Sequence, residues 1–485
     1  MRGLALVRMP RSVTERMESL LVCRYPYAEW MTFIRFGWTV RDGKLLVTVS
    51  ELVEPRPGDL DDSVGHVRID EPYSLRAVLA AERDQLGLGV IHSHPEGCAP
   101  RPSEIDDDMD AYYANYFESF LGPRPYVSLI FSRDGSGRRA YSGRAWLGGK
   151  EYAVDKVVVV GDKIDAVWCS RSAAVPTHVA RRTGRAADTY GREAMNRLWN
   201  STVAVVGVGG TGSAAAHVLA RSGIGRLVLV DDDRLDETNI ERVHGSYAED
   251  APVNPLKVVL ARDNAKRICP EMDVVPVVGN CLHLLAQDFL LQADLILSCT
   301  DTNHSRVGLA ELAYRYGVPV IDVAVQLEGR AGIVGAEVIQ FTRYAPGLPC
   351  PYCRNLVNAW RLQVELMSDG EKQRRCQEAA AAVARGEPGD AYWRGEPPQI
   401  LTVGHLTSAA GSMAAAYALN MLAGTAMMPD AHFQIDILRD GFDFVSVNAT
   451  PRGGCACAEV QCRADQAAAR SVISAPSHWA PARLA

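Results

Sequence analysis

The chain has 485 residues, too many for one compact core, so two or three domains are expected. Its hydrophobic content of 47% and charged content of 22% are ordinary for globular proteins, and its net charge of −7 argues against nonspecific binding of nucleic acid. The N-terminus, MRGLALVRMPR, lacks the apolar core of a signal peptide, so the twelve cysteines predict a reducing, cytoplasmic setting. Polar residues interrupt the Ala- and Met-rich stretch Ala409–Met428, which predicts a buried helix rather than a membrane span.

The first third of the chain predicts a domain of mixed strands and helices. Apolar periodicity and turn residues delimit each element. The predicted elements are, in order, a helix over 13–22, strands over Trp30–Trp38 and Lys44–Val53, a helix over Tyr73–Leu86, and strands over Gly87–Ile91, Pro125–Phe131, Ala140–Leu147 and Val157–Val160.

A metal-binding pattern follows the strand at Gly87–Ile91. His92 and His94 lie two residues apart on an extended segment, so both rings point to the same side. Asp106 returns after a turn, in a new helix with Ser103 at its N-cap. Two histidines and one aspartate leave the fourth position of a zinc site open for water, which is the catalytic arrangement.

The segment from His92 to Asp106, HSHPEGCAPRPSEID, resembles the metal signature of the JAB/MPN family of JAMM metallopeptidases. The resemblance covers about residues 15–150. It implies that His92, His94 and Asp106 bind Zn²⁺ and that Ser103 steadies the oxyanion.

The JAB/MPN resemblance also implies an upstream glutamate that acts as general base. In that family the glutamate lies just before the first strand of the domain, and Glu29 has that position, although the glycines that usually follow it are mostly missing. Glu51 and Glu54, at the end of the next strand, are the alternatives.

A nucleotide-binding pattern occupies Thr202–Arg242. A β-branched strand, Val203–Val206, leads into a glycine-rich turn and then a helix over Ser213–Arg221, with Ser213 as the expected cap. A second strand, Leu227–Val230, ends at Asp231, placed to bind a ribose hydroxyl. The turn and the helix N-terminus form a phosphate site. Its glycines are Gly207, Gly209, Gly210 and Gly212.

The glycine spacing also fits a dinucleotide site, but the residues that follow favour ATP. Asn239 and Arg242 come just after the acidic cluster, and Lys257 opens another predicted helix. The strand Ala293–Ser298 leads to Asp301. Basic groups neutralise phosphates, and a carboxylate binds Mg²⁺.

Residues 179 to about 460 resemble the adenylating domain of ubiquitin-activating enzymes of the ThiF and MoeB type. The shared motifs are GVGGTGS, DDDRLDETNIER, Lys257 and CTDTN. The resemblance implies that Asp231 binds the ATP ribose, that Asn239, Arg242 and Lys257 bind phosphates, and that Asp301 holds Mg²⁺. Arg182 and Arg185 resemble an arginine pair that reaches the ATP of a partner subunit, which implies a homodimer.

Clustered cysteines predict a second, structural zinc site. Cys350 and Cys353 form a CxxC pair, and Cys455 and Cys457 form a CxC pair about a hundred residues later. The enzymes that this domain resembles bind this zinc through two CxxC pairs. Since the second pair here is CxC, Cys462 is an alternative fourth ligand.

Cys376 is the candidate nucleophile. It lies in the crossover region, residues 354–400, after three basic residues that favour a thiolate. Some enzymes of this type form a thioester with a cysteine in this region, and others only adenylate.

The predicted fold class is α/β, with an N-terminal JAB/MPN domain of the α+β, cytidine-deaminase-like kind and a C-terminal Rossmann-like adenylating domain. The predicted bounds are 1–160 and 179–465, with a linker at 161–178 and a loose tail at 466–485.

The predicted function is bifunctional: zinc-dependent cleavage near the end of a ubiquitin-like protein, and ATP- and Mg²⁺-dependent adenylation of that end, as in bacterial ubiquitin-like conjugation. A ubiquitin-conjugating-like enzyme is a further partner, whereas nucleic acid and membranes are not expected. Sulfur-carrier activation for thiocarboxylate formation and non-catalytic binding of ubiquitin-like tails are the alternatives.

Overall fold

The structure is a computed structural model. It describes residues 3–24, 28–61, 67–170, 172–330, 332–387, 390, 392–393, 402–438, 443–467, 471 and 473–485. Parts of the predicted crossover region and of the predicted tail, namely 388–389, 391, 394–401, 468–470 and 472, lie outside the described residues.

The N-terminal part is built on an eight-stranded mixed sheet. Its strand order is β1-β3-β2-β6-β7-β8-β9-β10, and β1 also pairs with β9; β4 and β5 form a separate pair. These elements are β1 (Gly3–Pro10), α1 (Arg11–Leu21), β2 (Met31–Arg41), β3 (Lys44–Val53), β4 (Leu60–Asp61), β5 (Arg68–Ile69), α2 (Glu71–Arg83), β6 (Gly87–Ser93), α3 (Glu104–Leu121), β7 (Tyr126–Arg133), β8 (Arg139–Leu147), β9 (Lys150–Val160) and β10 (Ile164–Trp168).

Two apolar clusters belong to this sheet and its own helices, and a third, which includes Leu6, Val158 and Ile164, is shared with the C-terminal part. Met17 and Leu21 of α1 pack into one cluster, whereas Tyr73 of α2 and Phe117 of α3 pack into the other. The sheet therefore carries helices on both faces, and the start of α3 is held next to the end of β6.

The C-terminal part is built on a nine-stranded sheet of order β18-β17-β16-β15-β14-β11-β12-β13-β19. Its elements are α4 (Thr177–Arg182), α5 (Gly184–Tyr190), α6 (Arg192–Trp199), β11 (Thr202–Val206), α7 (Gly210–Arg221), β12 (Arg226–Asp231), α8 (Lys257–Ile268), β13 (Asp273–Val278), α9 (Leu284–Leu290), β14 (Leu295–Ser298), α10 (Asn303–Tyr316), β15 (Val320–Arg330), β16 (Ile333–Tyr344), α11 (Ala359–Glu365), α12 (Asp369–Ala384), α13 (Gly404–Ala423), β17 (His432–Asp436), β18 (Asp443–Ser446), α14 (Ala456–Glu459) and β19 (Arg483–Leu484).

The strands β13, β12, β11, β14 and β15 run parallel. The central strands β11, β12 and β14 are almost entirely apolar and buried, as expected for strands covered by helices on both faces. The two halves confirm the predicted α/β fold class. In the part of the chain that the structure describes, each helix is too short or too polar to span a bilayer.

Two local predictions are wrong, and one strand was not predicted. Ser213 does not cap its helix, because α7 begins at Gly210 and Gly209 is the N-cap residue; the Ser213 hydroxyl instead accepts a hydrogen bond from His244 N. The predicted linker 161–178 contains β10. This strand follows β9 after a short turn and pairs with it in antiparallel orientation, so the two form a hairpin. No strand was predicted for Gly3–Pro10, which pairs with both β3 and β9.

The predicted loose tail, 466–485, is also wrong where the structure describes it. Arg483 and Leu484 form β19, which pairs with β13 at the edge of the sheet. Main-chain hydrogen bonds to an open sheet edge order a segment that has no apolar period of its own.

Buried charges fasten the two halves together. Lys156 Nζ of β9 donates to Asp294 Oδ1 at 2.5 Å, and Asp294 Oδ2 accepts from Thr202 N at 2.9 Å. Arg8 of β1 donates to the carbonyl oxygens of Leu291 and Ala293 at 2.7 and 2.9 Å. Because buried charges are tolerated only with partners, these contacts hold the N-terminal sheet in one position against the start of β14.

Candidate functional site

Three potential metal ligands meet at one end of the N-terminal sheet. His92 belongs to β6, His94 follows it, and Asp106 lies in the first turn of α3. Their ligand atoms all lie within 4.8 Å of one another. His92 Nε2 is 3.1 Å from Asp106 Oδ1, and His94 Nε2 is 3.9 Å from Asp106 Oδ2. The fold thus brings the predicted set together.

Ser103 orients Asp106 through a capping box at the start of α3. The backbone N–H and the hydroxyl of Ser103 donate to Asp106 Oδ2 at 2.6 and 2.8 Å, which leaves Oδ1 beside His92. Burial acts to raise the pKa of Asp106, but the His92 ring and the Ser103 donors hold it below its ordinary value. The predicted oxyanion role of Ser103 stays a prediction.

The donor set fits a divalent metal. The His92 ring is buried; its Nε2 faces Asp106 Oδ1, and its Nδ1 makes no hydrogen bond to any residue that the structure describes. Burying an imidazole nitrogen without a partner costs free energy, and binding to a metal ion would offset that cost. Two imidazoles and one carboxylate suit zinc with one position left open.

Strand pairing places Glu29 beside this cluster. β2 and β6 are antiparallel with Met31 opposite His92, so Glu29, two residues earlier, comes level with His94. Its Oε1 lies 3.9 Å from His94 Nε2. Trp30 fixes the position of Glu29, because its carbonyl oxygen accepts from Ser93 N at 2.8 Å and its N–H donates to Ser93 Oγ at 2.9 Å.

The two alternative glutamates have other partners. Glu51 forms an ion pair with Arg35, opposite it on β2. Glu54 accepts from Arg16 Nε at 2.6 Å. Neither is grouped with the histidines, so the geometry favours Glu29.

A cleft of about 1430 Å³ opens at the carboxyl ends of the parallel strands. All the predicted nucleotide-binding residues except Gly212 line it. They are Gly207, Gly209, Gly210, Asp231, Asn239, Arg242, Lys257 and Asp301.

Two glycines make the phosphate turn possible. Gly207 has φ +82°, and a Cβ there would lie 2.7 Å from the Cys299 carbonyl oxygen. A Cβ on Gly212 would lie 1.8 Å from the Gly207 carbonyl oxygen. Side chains at either position would therefore force the turn away from the start of α7.

Asp231 ends β12 with its carboxylate held by the backbone. Oδ2 accepts from Val208 N at 2.6 Å, and Oδ1 accepts from Asp233 N at 2.8 Å. Burial raises the pKa of Asp231 to about 6. The backbone thus fixes the orientation of this carboxylate at the edge of the cleft.

Charged groups surround the rest of the cleft. Lys257 Nζ lies 2.8 Å from Asp233 Oδ2, and Arg242 Nη1 donates to the Thr238 carbonyl oxygen at 2.8 Å. The Asp301 side chain is exposed, and its carbonyl oxygen accepts from Arg361 Nη2 at 3.4 Å. The cationic side chains could bind the phosphates of a nucleoside triphosphate, and the carboxylate could bind its metal ion.

A model described as the ThiF family matches residues 182–457, more than half of the chain. The chain belongs to the ThiF family. A model described as prokaryotic homologs of the JAB domain matches residues 36–147, a range that contains the metal cluster but not Glu29.

Individual relatives match within the ThiF domain. Molybdopterin-synthase adenylyltransferase of Escherichia coli (strain K12) is 34% identical over 170 residues, 35% of this chain and 63% of that protein. tRNA threonylcarbamoyladenosine dehydratase of Bacillus subtilis (strain 168) is 37% identical over 132 residues, 27% of this chain and 51% of that protein. The chain therefore spans about half to two thirds of the length of these relatives. The crystal structure of E. coli MccB with ATP aligns with a TM-score of 0.42 and 18% identity, covering 58% of this chain and 75% of that one.

Four cysteines of the ThiF domain form the second cluster. The Sγ atoms of Cys350, Cys353, Cys455 and Cys457 all lie within 4.8 Å of one another. A hydrogen bond from Cys457 helps hold the pKa of Cys350 below its ordinary value, which favours a metal-binding thiolate. Cys462 is buried outside this group, so the structure groups Cys457, and not Cys462, with the other three thiols.

Cys376 is exposed on α12, in the predicted crossover region. Its neighbours Arg374 and Arg375 both pair with Glu371 on the same helix. Their positive charges are therefore partly compensated. Asp369 and Lys372, earlier on α12, line the nucleotide cleft.

The two N-terminal arginines of the ThiF domain differ in environment. Arg182 Nη2 binds Glu271 at 2.7 Å within the same chain. Arg185 is exposed on α5. Of the two, Arg185 is the one placed to reach outward.

The C-terminal segment is the part of the cleft that sequence reasoning missed. His478, Trp479, Ala480, Pro481 and Arg483 all line it. One signal was present, because Trp479 is the only Phe, Tyr or Trp in the Ala-, Ser- and Pro-rich tail.

The raised pKa of Asp231 predicts a pH dependence of nucleoside binding. A raised carboxyl pKa means that the group is ionised above about pH 6 and protonated below it. If the carboxylate accepts the ribose hydroxyl, affinity for adenosine should fall about tenfold from pH 7.5 to pH 5. Calorimetric titration with adenosine, which has no phosphate to titrate, measures this.

Asp231→Asn is the matched control, because its amide oxygen still accepts a hydrogen bond but does not titrate. Its adenosine affinity should be nearly flat over this pH range. Equal slopes in both proteins would contradict the role of Asp231.

Proposed function

We propose that this chain is a bifunctional enzyme acting on the C-terminal end of a ubiquitin-like protein. The JAB domain would cleave a peptide or isopeptide bond there, and the ThiF domain would adenylate the resulting carboxylate. The observation that carries the proposal is the pairing, in one chain, of a His–His–Asp cluster beside Glu29 with a cleft lined by a glycine turn and cations.

In the JAB domain, His92, His94 and Asp106 would hold Zn²⁺. Zinc bound there would supply Lewis-acid polarisation and a more acidic water. Glu29 takes the proton of the attacking water and hands it to the leaving amine as the C–N bond breaks. Its half-exposed position, 3.9 Å from His94 Nε2, leaves it room to reach both groups.

In the ThiF domain, a carboxylate oxygen of the substrate attacks the α-phosphorus of ATP, and pyrophosphate leaves as the α–β bond breaks. Asp231 would orient the ribose, and Asn239, Arg242 and Lys257 would neutralise the phosphates. Asp301 would hold Mg²⁺, which offsets the charge of the leaving pyrophosphate.

The position of α12 supports a following thioester step. Lys372 lines the nucleotide cleft, and Cys376 lies four residues later on the same helix face. The Cys376 thiolate would attack the acyl carbon of the adenylate, form the thioester and release AMP. A conjugating-like enzyme would then accept the acyl group.

Activation of a sulfur carrier is the second candidate function. The 34% identity over 170 residues to the E. coli protein named molybdopterin-synthase adenylyltransferase favours this second function. Both candidates share the adenylate and differ in its acceptor, so mass spectrometry of the product separates a thiocarboxylate from a thioester or conjugate.

The remaining proposals concern assembly and setting. Exposed Arg185 would reach the nucleotide of a second copy in a homodimer formed through the ThiF domain. The Cys350 cluster would hold a structural zinc, and free cysteines such as exposed Cys376 and Cys98 suit the reducing cytoplasm.

The two clusters predict about two zinc ions per purified chain. His92→Ala should lose one and Cys350→Ala the other, because each removes a ligand from a different cluster. Elemental analysis by mass spectrometry measures the content. His178→Ala, which removes an exposed histidine outside both clusters, is the control and should keep both ions. Full metal content in His92→Ala or Cys350→Ala would refute the corresponding site.

Peptidase activity should depend on Glu29 and not on Glu51. Glu29→Gln keeps the shape but removes the base, so cleavage of a ubiquitin-like fusion should slow by about 10²–10⁴-fold with zinc still bound. Glu51→Gln should change the rate little, since Glu51 pairs with Arg35. The reverse pattern would move the base to Glu51.

Asp301→Ala should abolish ATP–pyrophosphate exchange and leave the peptidase active, because Asp301 belongs to the ThiF cleft. Cys376→Ser is the matched variant: it should keep exchange and lose the thiol-sensitive thioester. Both are assayed with ubiquitin-like proteins encoded by neighbouring genes. Loss of peptidase activity in Asp301→Ala, or normal exchange, would contradict this assignment.

A further inference from the structure

The C-terminal segment 473–485 is built into one wall of the nucleotide cleft. Arg483 and Leu484 pair with Val278 and Val277 of β13. Ala485 N donates to the Pro276 carbonyl oxygen at 3.2 Å. The end of the chain is therefore held by a sheet edge beside the cleft.

Further contacts fix the path of this segment. Ser471 Oγ donates to Glu311 Oε2 at 2.9 Å, and Ile473 is buried. A Cβ on Gly279 would lie 2.6 Å from Ala482 Cβ, so only a glycine after β13 lets the segment approach this closely. The segment is thus anchored both before and after Trp479.

Trp479 is half-buried and rests on two histidines at the cleft. Its ring meets His304 edge-on at 5.0 Å and His283 at 6.3 Å. His304 is itself fixed, since its Nδ1 lies 3.1 Å from Glu365 Oε2 and its Nε2 lies 2.9 Å from Asn280 Nδ2. A firmly held aromatic ring therefore lies at the mouth of the cleft.

The distribution of polar groups indicates what this ring contacts. The glycine turn, Arg242 and Lys257 suit the phosphates, and Asp231 suits the ribose. The remaining lining comes from the loops after β13 and β14, from β15 and the helices that follow it, and from the C-terminal segment. Val278 pairs with Asp231 on one side and with Arg483 on the other, so the base of a nucleotide whose ribose meets Asp231 comes next to the C-terminal segment. A flat uncharged purine is bound well by an aromatic face.

We propose that Trp479 stacks on the purine base of ATP and that segment 473–485 is the base-binding wall of the ThiF domain. This rests on the proposed adenylation function. In this arrangement Trp479 contacts the substrate. It is supplied by segment 473–485, which is far in sequence from the glycine turn.

Binding of Mg·ATP and of tripolyphosphate to the full-length protein tests this. Trp479→Ala should weaken ATP binding by about 5- to 150-fold, the range for loss of one base–aromatic stack. Binding of tripolyphosphate, which has no base, should be unchanged. Trp479→Phe keeps an aromatic face and should recover most of the ATP affinity.

Intrinsic fluorescence supplies a second readout. ATP should quench the emission of the wild-type protein and of Trp360→Phe, which removes an exposed tryptophan outside the cleft lining. Trp479→Phe should bind ATP without that quenching.

Unchanged ATP affinity in Trp479→Ala, or equal loss of ATP and tripolyphosphate, would overturn the stacking role. A wild-type protein that binds no ATP would instead overturn the adenylation function itself, and the base-binding wall with it.

Discussion

The parallel arrangement of β13, β12, β11, β14 and β15 is the constraint on which the ThiF domain depends. Parallel strands bring their carboxyl ends to one edge, so the glycine turn, Asp231 and Asp301 meet there although each follows a different strand. The strands between them are apolar and buried, which leaves that edge as the place where polar groups gather. The C-terminal segment joins the same edge by extending the sheet beyond β13.

The N-terminal sheet is a second framework, held against the first by buried charge. Asp294, at the start of β14, accepts hydrogen bonds from Lys156 of the N-terminal sheet and from the backbone N–H of Thr202 in the C-terminal sheet. Separating Lys156 from Asp294 would leave both charges buried without compensation, so sliding of one sheet on the other is disfavoured. A rigid pairing is compatible with the proposed action of both sites on the same end of one substrate.

Each site also relies on groups that orient its other side chains. Ser103 engages one oxygen of Asp106 and leaves the other beside His92. Glu365 and Asn280 hold His304, which in turn supports Trp479. Such supports cost little because they are ordinary caps and loop contacts, yet they place reactive or binding groups to within the tolerance that chemistry requires.

The sequence by itself determined those features whose geometry depends on residues close together in the chain. They are the HxH pattern with its capped helix, the glycine turn before α7, and the CxxC pair. Tertiary structure decided what depends on distant contacts. Strand register set Glu29, and not Glu51, beside His94, and the path of the chain after α14 buried Cys462 away from the other thiols. The segment around Trp479 has no period that predicts order, because its order comes from the edge of β13, about two hundred residues earlier in the chain.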